Sequence, residues 1–217
     1  MSISTMILGE SGTGKTASLR NINPDDAILI QCVKKPLPFK STGWKPKTKE
    51  SGSVFVCDKS QTIIAAMQKS TQPIVIIDDF QYLMANEFMR RSDEIGYTKF
   101  TDIARHAWDV LMAANDLAPE RRVYILAHTQ SDETGRVKAK TVGKMLDEKI
   151  TIEGLLTIVL RTVVTNGNFM FATQNNGSDT TKSPIGLFDD ELIDNDLATV
   201  DAAIVEYFEL NNLKEAA

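Results

Sequence analysis

Eight consecutive residues near the start of the chain have types and a spacing that suit one kind of chemistry. Residues 9–16 read Gly-Glu-Ser-Gly-Thr-Gly-Lys-Thr, which fits the phosphate-loop pattern G-x-x-x-x-G-K-[ST]. Glycines let successive backbone N–H groups curl around phosphate oxygens. In such a loop Lys15 would reach the β- and γ-phosphates, and the hydroxyl of Thr16 would be a ligand of Mg²⁺. The motif therefore predicts a nucleotide site.

We expect the loop and the residue after it to contact the nucleotide. These residues are Gly9, Glu10, Ser11, Gly12, Thr13, Gly14, Lys15, Thr16 and Ala17. An apolar run at 3–8 precedes the loop and a helical pattern at 14–21 follows it, which is the context that a phosphate loop requires. The start of that helix would point its positive dipole at the anion. A glycine-rich turn without a ligand is the alternative that this context disfavours.

A second motif supplies the carboxylates that accompany a phosphate loop. Residues 74–79 read Ile-Val-Ile-Ile-Asp-Asp, and four β-branched residues in a row are typical of a buried parallel strand. Ligands bind beyond the carboxyl ends of strands in open α/β sheets. We therefore expect Asp78 to hold Mg²⁺ through water and Asp79 to orient or deprotonate the attacking water. The alternative is that both acids cap the following helix.

A third apolar run, at 123–127, is followed by His128, Thr129 and Gln130. A polar side chain at the end of such a strand senses the γ-phosphate in the large group of NTPases that have an extra central strand, and the order of motifs matches that group. Gln130 or Thr129 is the candidate sensor, because a histidine at the position of His128 is more often packed and hydrogen-bonded. The guanine-specificity motif N-K-x-D is absent from the sequence.

The elements that must position these motifs alternate between strands and helices. This alternation predicts an α/β fold of three layers around a mostly parallel central sheet, with a C-terminal β-hairpin and helix. Asn166-Gly167 is a strong signal for a two-residue hairpin turn. We expect Asn195 to cap the last helix, at 197–210. The predicted strands are 3–8, 27–33, 54–57, 74–78, 123–127, 155–164 and 169–173; the predicted helices are 14–21, 60–69, 81–91, 101–115 and 197–210; the predicted loops are 34–53, 131–149 and 174–186.

Composition and charge indicate an ordinary globular chain. The 217 residues are 42% hydrophobic and 24% charged, which favours one folded domain over 1–217 and disfavours disorder. No apolar run approaches the roughly 18 residues of a membrane span, and the phosphate loop leaves no room for a preceding signal peptide. We expect a cytoplasmic protein with two free cysteines. From Leu187 onward there are nine acids and one base, so 187–217 is an acidic helical region. It could dock a basic partner or be a solvated helix face.

Taken together, these strings resemble phage-encoded AAA-type ATP-binding proteins with a RecA-like core, some of which serve as single-strand annealing or recombination proteins. The resemblance covers nearly the whole chain. The phosphate loop is common to many families, and the other strings are narrower. The strings are GESGTGKT at 9–16, KPLPFK at 35–40, IVIIDDFQYLM at 74–84, Ala127-His128-Thr129, GKMLDEKITIEGL at 143–155, Asn176-Gly177-Ser178 and Thr181-Lys182-Ser183-Pro184.

The resemblance implies ATP and Mg²⁺ as ligands and a homo-oligomer with nucleotide at its subunit interfaces. A cation from the next subunit would then complete the site, placed after a late hairpin as a Lys-x-Arg pair. Lys182, in the hairpin and loop region 163–186, fits the first position, but Pro184 stands where the arginine is expected. Lys144 and Arg161 are further candidates. An exposed, solvated cation is the alternative for each.

A second departure concerns the general base. RecA-like enzymes tend to carry a glutamate after their second strand, whereas this chain reads Gln31-Cys32-Val33 there. Asp79 is our candidate substitute, and Asp58, which follows the run at 54–57, is another. If neither acts, the protein is an ATP-binding switch with slow turnover.

The loop 34–53 is basic and carries two aromatic residues. Lysines interleaved with Phe39 and Trp44 suit single-stranded DNA, whose bases stack and whose phosphates pair with cations. The stretch 136–140 is basic as well, and in RecA-like proteins it faces the central DNA path. The alternative is a solvated loop with its aromatic side chains packed on the body or on an adenine. The lysines of the loop are Lys34, Lys35, Lys40, Lys45, Lys47 and Lys49.

Three classes of function follow. The first is a DNA-dependent ATPase of phage recombination or annealing. The second is an ATP-switched loader or remodeller of a phage or host replication or recombination protein, although a lid domain and a second sensor arginine are not recognisable. The third is a nucleotide-binding scaffold with little turnover. A kinase is disfavoured because no acceptor-substrate motif is present.

Two expected residues are missing, the arginine at position 184 and the glutamate after the second strand, and their absence predicts weak hydrolysis. We expect the isolated protein to turn over fewer than about ten ATP molecules per second, on the low side of the usual enzyme range. Phosphate release from purified protein, without DNA or partner, measures this rate. A faster rate would contradict the expectation.

Overall fold

The computed structural model describes residues 1–210, and the remaining residues of the predicted acidic region, 211–217, lie outside it. The strands are β1 (Ile3–Leu8), β2 (Ala27–Gln31), β3 (Val54–Val56), β4 (Ile74–Asp78), β5 (Arg122–Ala127), β6 (Thr129–Ser131), β7 (Val137–Ala139), β8 (Ile158–Thr165), β9 (Asn168–Ala172) and β10 (Leu192–Asp194). The α-helices are α1 (Ser60–Lys69), α2 (Gln81–Arg90), α3 (Thr98–Asn115) and α4 (Leu197–Tyr207). Short 3₁₀ helices span Thr16–Asn21 and Ile152–Leu155, and a π-helical turn spans Met145–Lys149.

Eight of these strands form one sheet in the order β10-β9-β8-β1-β5-β4-β2-β3. The six strands from β8 to β3 are mutually parallel, and β9 and β10 add an antiparallel edge. Strand β5 lies between β1 and β4, which is the extra central strand expected from the order of the motifs. The predicted α/β class, with a mostly parallel central sheet and a C-terminal hairpin and helix, is confirmed.

The register of the parallel strands brings three motifs to one edge of the sheet. Leu8 of β1 pairs with Ala127 of β5, and Ile77 of β4 pairs with Ile125 of β5. The phosphate loop, the two aspartates and His128 therefore leave the sheet side by side. This is the edge at which open α/β sheets bind ligands.

The sheet is covered on both faces. Successive side chains of β1 point to opposite faces, so that Met6 and Leu8 pack on one side and Ile7 on the other. The first core includes side chains of α1, α2 and α3, and the second includes Leu19, Trp44 and side chains of α4. Among residues 1–210 no helix combines the length and apolar character needed to cross a bilayer.

The helix after the phosphate loop is shorter than the sequence predicts. It is a six-residue 3₁₀ helix, Thr16–Asn21, and Gly14 belongs to the loop. The hydroxyl of Ser18 donates to the carbonyl oxygen of Lys15 at 2.6 Å, a local bond that competes with a regular helical ladder. Pro24 disfavours helical backbone in the residue before it, and Ile22 is already extended.

The predicted cap of the last helix was wrong. The N-cap of α4 is Asp196, whose carboxylate accepts a hydrogen bond from the backbone N–H of Ala198 at 3.0 Å. Asn195 instead lies buried against the phosphate loop. The short strands β6, β7 and β10 were not predicted, because three-residue strands are too short to show an alternating pattern.

The hairpin turn is where the sequence places it. Asn166 and Gly167 join β8 to β9 and have φ angles of 52° and 80°. Positive φ at both central residues is the requirement of a type I′ turn, which Asn-Gly meets at low cost. The hairpin carries Phe169 on its second strand.

A buried polar cluster ties α4 to the sheet. The carboxylate of Asp201 accepts two hydrogen bonds from the guanidinium of Arg122, at 2.9 and 2.8 Å, and one from the hydroxyl of Tyr124, at 2.6 Å. Burial, with Asp201 next to it, raises the pKa of Tyr124 well above its ordinary value, so the phenol remains a donor. All three of these hydrogen bonds come from side chains of β5.

We expect Asp201→Ala to lower the free energy of unfolding by about 3–5 kcal/mol, because it leaves the Arg122 charge buried without its partner. Urea denaturation measures the change. The control is Glu206→Ala on the exposed face of α4, which should change the free energy by less than about 0.5 kcal/mol. Equal effects of the two variants would contradict the structural role of the cluster.

Candidate nucleotide-binding site

The phosphate loop is held in shape by glycine conformations and by its neighbours. Gly12 and Gly14 have φ angles of 80° and 99°, a region that only glycine occupies without strain. A side chain at Gly14 would approach Asn195 and Phe169 to 3.1 Å. The loop therefore needs glycine at position 14 both for its backbone conformation and for its packing.

The side chain of Lys15 folds back over the phosphate loop. Its ammonium group donates to the carbonyl oxygens of Gly9 and Glu10, each at 2.8 Å. Burial lowers the pKa of Lys15 to about 8, against the opposing pull of the charges on Asp79 and Asp78. An anion beside Lys15 would stabilise its protonated form, so the site is electrostatically suited to a phosphate.

Thr16 and Asp78 form the candidate magnesium site. The hydroxyl of Thr16 lies 3.0 and 3.1 Å from the two carboxylate oxygens of Asp78, whose residue is fully buried. Burial, and then the neighbouring charge of Asp79, raises the pKa of Asp78 to about 6. A hydroxyl and a single carboxylate are oxygen ligands of the kind that Mg²⁺ combines with water and substrate phosphates. The residues present therefore fit this ion.

Asp79 has an unusual backbone and two cationic or polar neighbours. Its φ angle is 61°, in the left-handed region, and its residue is almost fully buried. The ammonium of Lys35 forms an ion pair with it, and Nε2 of His128 lies 3.6 Å from its Oδ1. Burial alone would raise the pKa of Asp79, but His128 and Lys35 outweigh burial and lower it. Asp79 is therefore an anion, held in a strained conformation of the kind found at functional sites.

One cavity joins these groups. Its volume is about 310 Å³, and it extends from the phosphate loop across the ends of β4 and β5 to the start of the loop 34–53. Its lining residues are Ser11, Gly12, Gly14, Lys15, Thr16, Ala17, Lys35, Pro36, Pro38, Asp79, His128 and Phe169.

The sensor candidates are distributed differently from the prediction. The side chain of Gln130 donates to the carboxylate of Asp147 at 2.5 Å and does not line the cavity. Thr129 lines a different cavity, one that Thr13 and Arg161 also line. His128, which sequence reasoning set aside, is the residue of this strand end that lines the cavity.

None of the predicted trans cations lines the cavity of its own chain. Lys182 pairs its backbone with Val159 of β8, at 2.9 and 2.8 Å. Arg161 donates to the carboxylate of Asp179 at 2.7 Å, and Lys144 is exposed, with Glu148 at 3.6 Å. Their roles toward a neighbouring subunit stay predictions.

The alternative base, Asp58, is engaged elsewhere. Its carboxylate accepts hydrogen bonds from Asn86 at 2.8 Å and Arg90 at 2.6 Å, and it does not line the cavity.

Sequence reasoning missed Lys35 and Phe169 as cavity residues. The position of Lys35 carried a usable signal, because it lies just after β2 and thus at the same sheet edge as Asp78, with which Gln31 pairs.

The basic loop has exposed lysines, but its two aromatic side chains pack against the core. Trp44 is 9% exposed and belongs to the second core, and Phe39 packs against that core. The prediction that these rings interleave with lysines for base stacking is therefore not met, and the packing alternative holds. Lys45, Lys47 and Lys49 are exposed.

No protein-family model matches this sequence, and no curated protein matches it either. Among solved structures it is similar to one described as a prototypical ATPase from the type III secretion system of pathogenic bacteria. The TM-score is 0.45 and the sequence identity 14%, over 76% of this chain and 51% of that chain. The chain thus spans about half the length of that ATPase.

We expect Asp78→Asn to raise the free energy of unfolding without Mg²⁺ at about pH 8, by about 1–3 kcal/mol. The folded-state pKa of Asp78 is about 6, whereas an unfolded aspartate titrates near 4. Ionisation therefore destabilises the fold, fully above about pH 6 and not at all below about pH 4. Urea denaturation at several pH values should show the difference between the two proteins shrinking as pH falls.

Asp58→Asn is the matched control, with the opposite sign. Burial would raise the pKa of Asp58, but Arg90 and Asn86 outweigh it and lower the pKa. Its charge therefore stabilises the fold at neutral pH, and the variant should be less stable than wild type there. Loss of stability in Asp78→Asn at every pH would contradict the role assigned to burial.

Proposed function

We propose that this protein is a P-loop NTPase that binds Mg²⁺·ATP in the cavity and hydrolyses it slowly. One observation carries the proposal: Lys15, Thr16 and Asp79 line one cavity, and Asp78, hydrogen-bonded to Thr16, lies buried at the same sheet edge. These are the anchor, the metal ligands and the anionic base that phosphoryl transfer to water needs.

Each residue has a stated task in the proposed reaction. The backbone N–H groups of the loop and Lys15 hold the β- and γ-phosphates. Thr16 and Asp78 would hold Mg²⁺, which would neutralise charge that develops on the phosphates. Asp79 orients a water molecule and accepts its proton. The water oxygen bonds to the γ-phosphorus, the bond to the β–γ bridging oxygen breaks, and ADP and inorganic phosphate leave.

Slow turnover is supported by the state of Asp79. A general base works best when its pKa lies near the operating pH, and the pKa of this carboxylate is lowered below its usual range. Gln31, at the second-strand position, offers no replacement carboxylate.

We further propose that the protein acts on single-stranded DNA in phage recombination or annealing, as a homo-oligomer. Exposed lysines of the loop 34–53 support contact with phosphates, and the buried Trp44 implies that base stacking on it plays no part. An ATP-switched loader of a protein partner, with the acidic C-terminal region as its docking segment, is the alternative.

The test is phosphate release with and without single-stranded DNA. We expect Lys15→Ala to abolish ATP binding and hydrolysis, and DNA to raise the wild-type rate several-fold. In Lys45→Glu/Lys47→Glu/Lys49→Glu, where three exposed cations are reversed, we expect DNA binding to disappear and its stimulation to be lost.

Unstimulated hydrolysis should survive in that triple variant, since the three lysines do not line the cavity. Hydrolysis that DNA leaves unchanged would overturn the DNA role and favour the protein-directed switch. Absence of ATP binding by the wild-type protein would overturn the proposed function itself.

A further inference from the structure

One cation in the cavity belongs to neither the phosphate loop nor the two strand-end motifs. Lys35 belongs to no strand or helix and lies four residues after the end of β2, at the start of the basic loop 34–53, yet it lines the cavity together with Lys15 and Asp79. Its side chain is 39% exposed, whereas that of its partner Asp79 is 4% exposed. The ammonium therefore stands at the mouth of the site, between solvent and a buried carboxylate.

The backbone of Lys35 is anchored while its side chain can move. Its carbonyl oxygen accepts a hydrogen bond from the side chain of Gln31 at 3.2 Å, which fixes the start of the loop to the end of β2. Pro36 and Pro38 follow and also line the cavity. Lysine carries its charge on a flexible four-carbon stem, so the ammonium can change partners while the backbone stays in place.

The charges around Lys35 would allow a phosphoryl group to replace Asp79 as its ion-pair partner. Burial would lower the pKa of Lys35, but Asp79, with Asp78 behind it, outweighs burial and raises it, so Lys35 is charged. A terminal phosphoryl group carries up to about two negative charges at neutral pH, against one on a carboxylate. It would enter the cavity that Lys35 lines and compete with Asp79 for the same cation.

We propose that Lys35 is a γ-phosphoryl ligand supplied within the same chain, and that it transfers from Asp79 to the γ-phosphoryl group when a nucleoside triphosphate binds. The inference rests on the proposed function and deepens it. With a triphosphate bound, Lys35 neutralises charge on the γ-phosphoryl oxygens and leaves the Asp79 carboxylate free to accept a hydrogen bond from water. With a diphosphate bound, Lys35 stays on Asp79.

Two consequences follow from this exchange. The site distinguishes triphosphate from diphosphate, because only the former offers Lys35 a new partner. The loop 34–53 also senses the nucleotide, because its first residues change contacts with the state of the γ-phosphate. A cation already present in the chain lessens the dependence on one from a neighbouring subunit, which agrees with Pro184 at the arginine position.

The test compares the affinities of a slowly hydrolysed ATP analogue, ATPγS, and of ADP, each with Mg²⁺, by isothermal titration calorimetry. We expect Lys35→Ala to weaken ATPγS binding about tenfold or more, the effect of losing a charge-assisted hydrogen bond, and to change ADP binding by less than about twofold. Lys35→Arg should restore part of the preference for ATPγS.

The matched control is Lys34→Ala, which removes the adjacent exposed lysine, a residue that does not line the cavity. It should leave both affinities unchanged. Amide hydrogen exchange supplies a second readout: ATPγS, but not ADP, should alter exchange in the loop 34–53 of the wild type, and neither should do so in Lys35→Ala.

The outcomes separate this inference from the proposed function. Equal weakening of ATPγS and ADP in Lys35→Ala, or no weakening of either, overturns the role of Lys35 while the nucleotide site stands. Failure of the wild type to bind ATPγS and ADP overturns the proposed function, and the inference with it. Circular dichroism melting of each variant establishes that the compared proteins are folded.

Discussion

Burial of a carboxylate at the end of a parallel strand is the constraint on which the site depends. Asp78 ends β4 inside the protein, where its charge is disfavoured and its neighbour in space is the hydroxyl of Thr16. Because the carboxylate is buried, a cation bound beside it would relieve the cost of its charge. Strand β4, the phosphate loop and the ion pair on Asp79 all lie next to this buried carboxylate.

The sheet order converts this local constraint into a site. Because β5 separates β1 from β4, the phosphate loop and the aspartates lie two strands apart, and His128 fills the space between them. The loop after β2 then closes the cavity from the far side and brings Lys35 to Asp79. Five chain segments distant in sequence, Phe169 of β9 among them, thus contribute to one cavity, and none of them could form it alone.

The structures of residues 9–16 and 74–79 could be predicted because they depend on local residue types. Glycines allow the backbone of the loop, and β-branched residues favour the buried strand. Elements with weak periodicity were not predicted, among them β10, whose three residues pair with the distant strand β9. The ion pair of Lys35 with Asp79 and the burial of Trp44 depend on how a long loop folds back on the sheet. No local pattern contains that information.

Asn195 lies against Gly14, although 181 positions separate them in the chain. During synthesis, β1 and the phosphate loop therefore leave the ribosome long before the segment that braces them. A nascent chain that ends before residue 195 contains the whole phosphate-binding motif without its packing partner. The packing of the phosphate loop is consequently completed only after residue 195 has been synthesised, even though the motif is among the first residues of the chain.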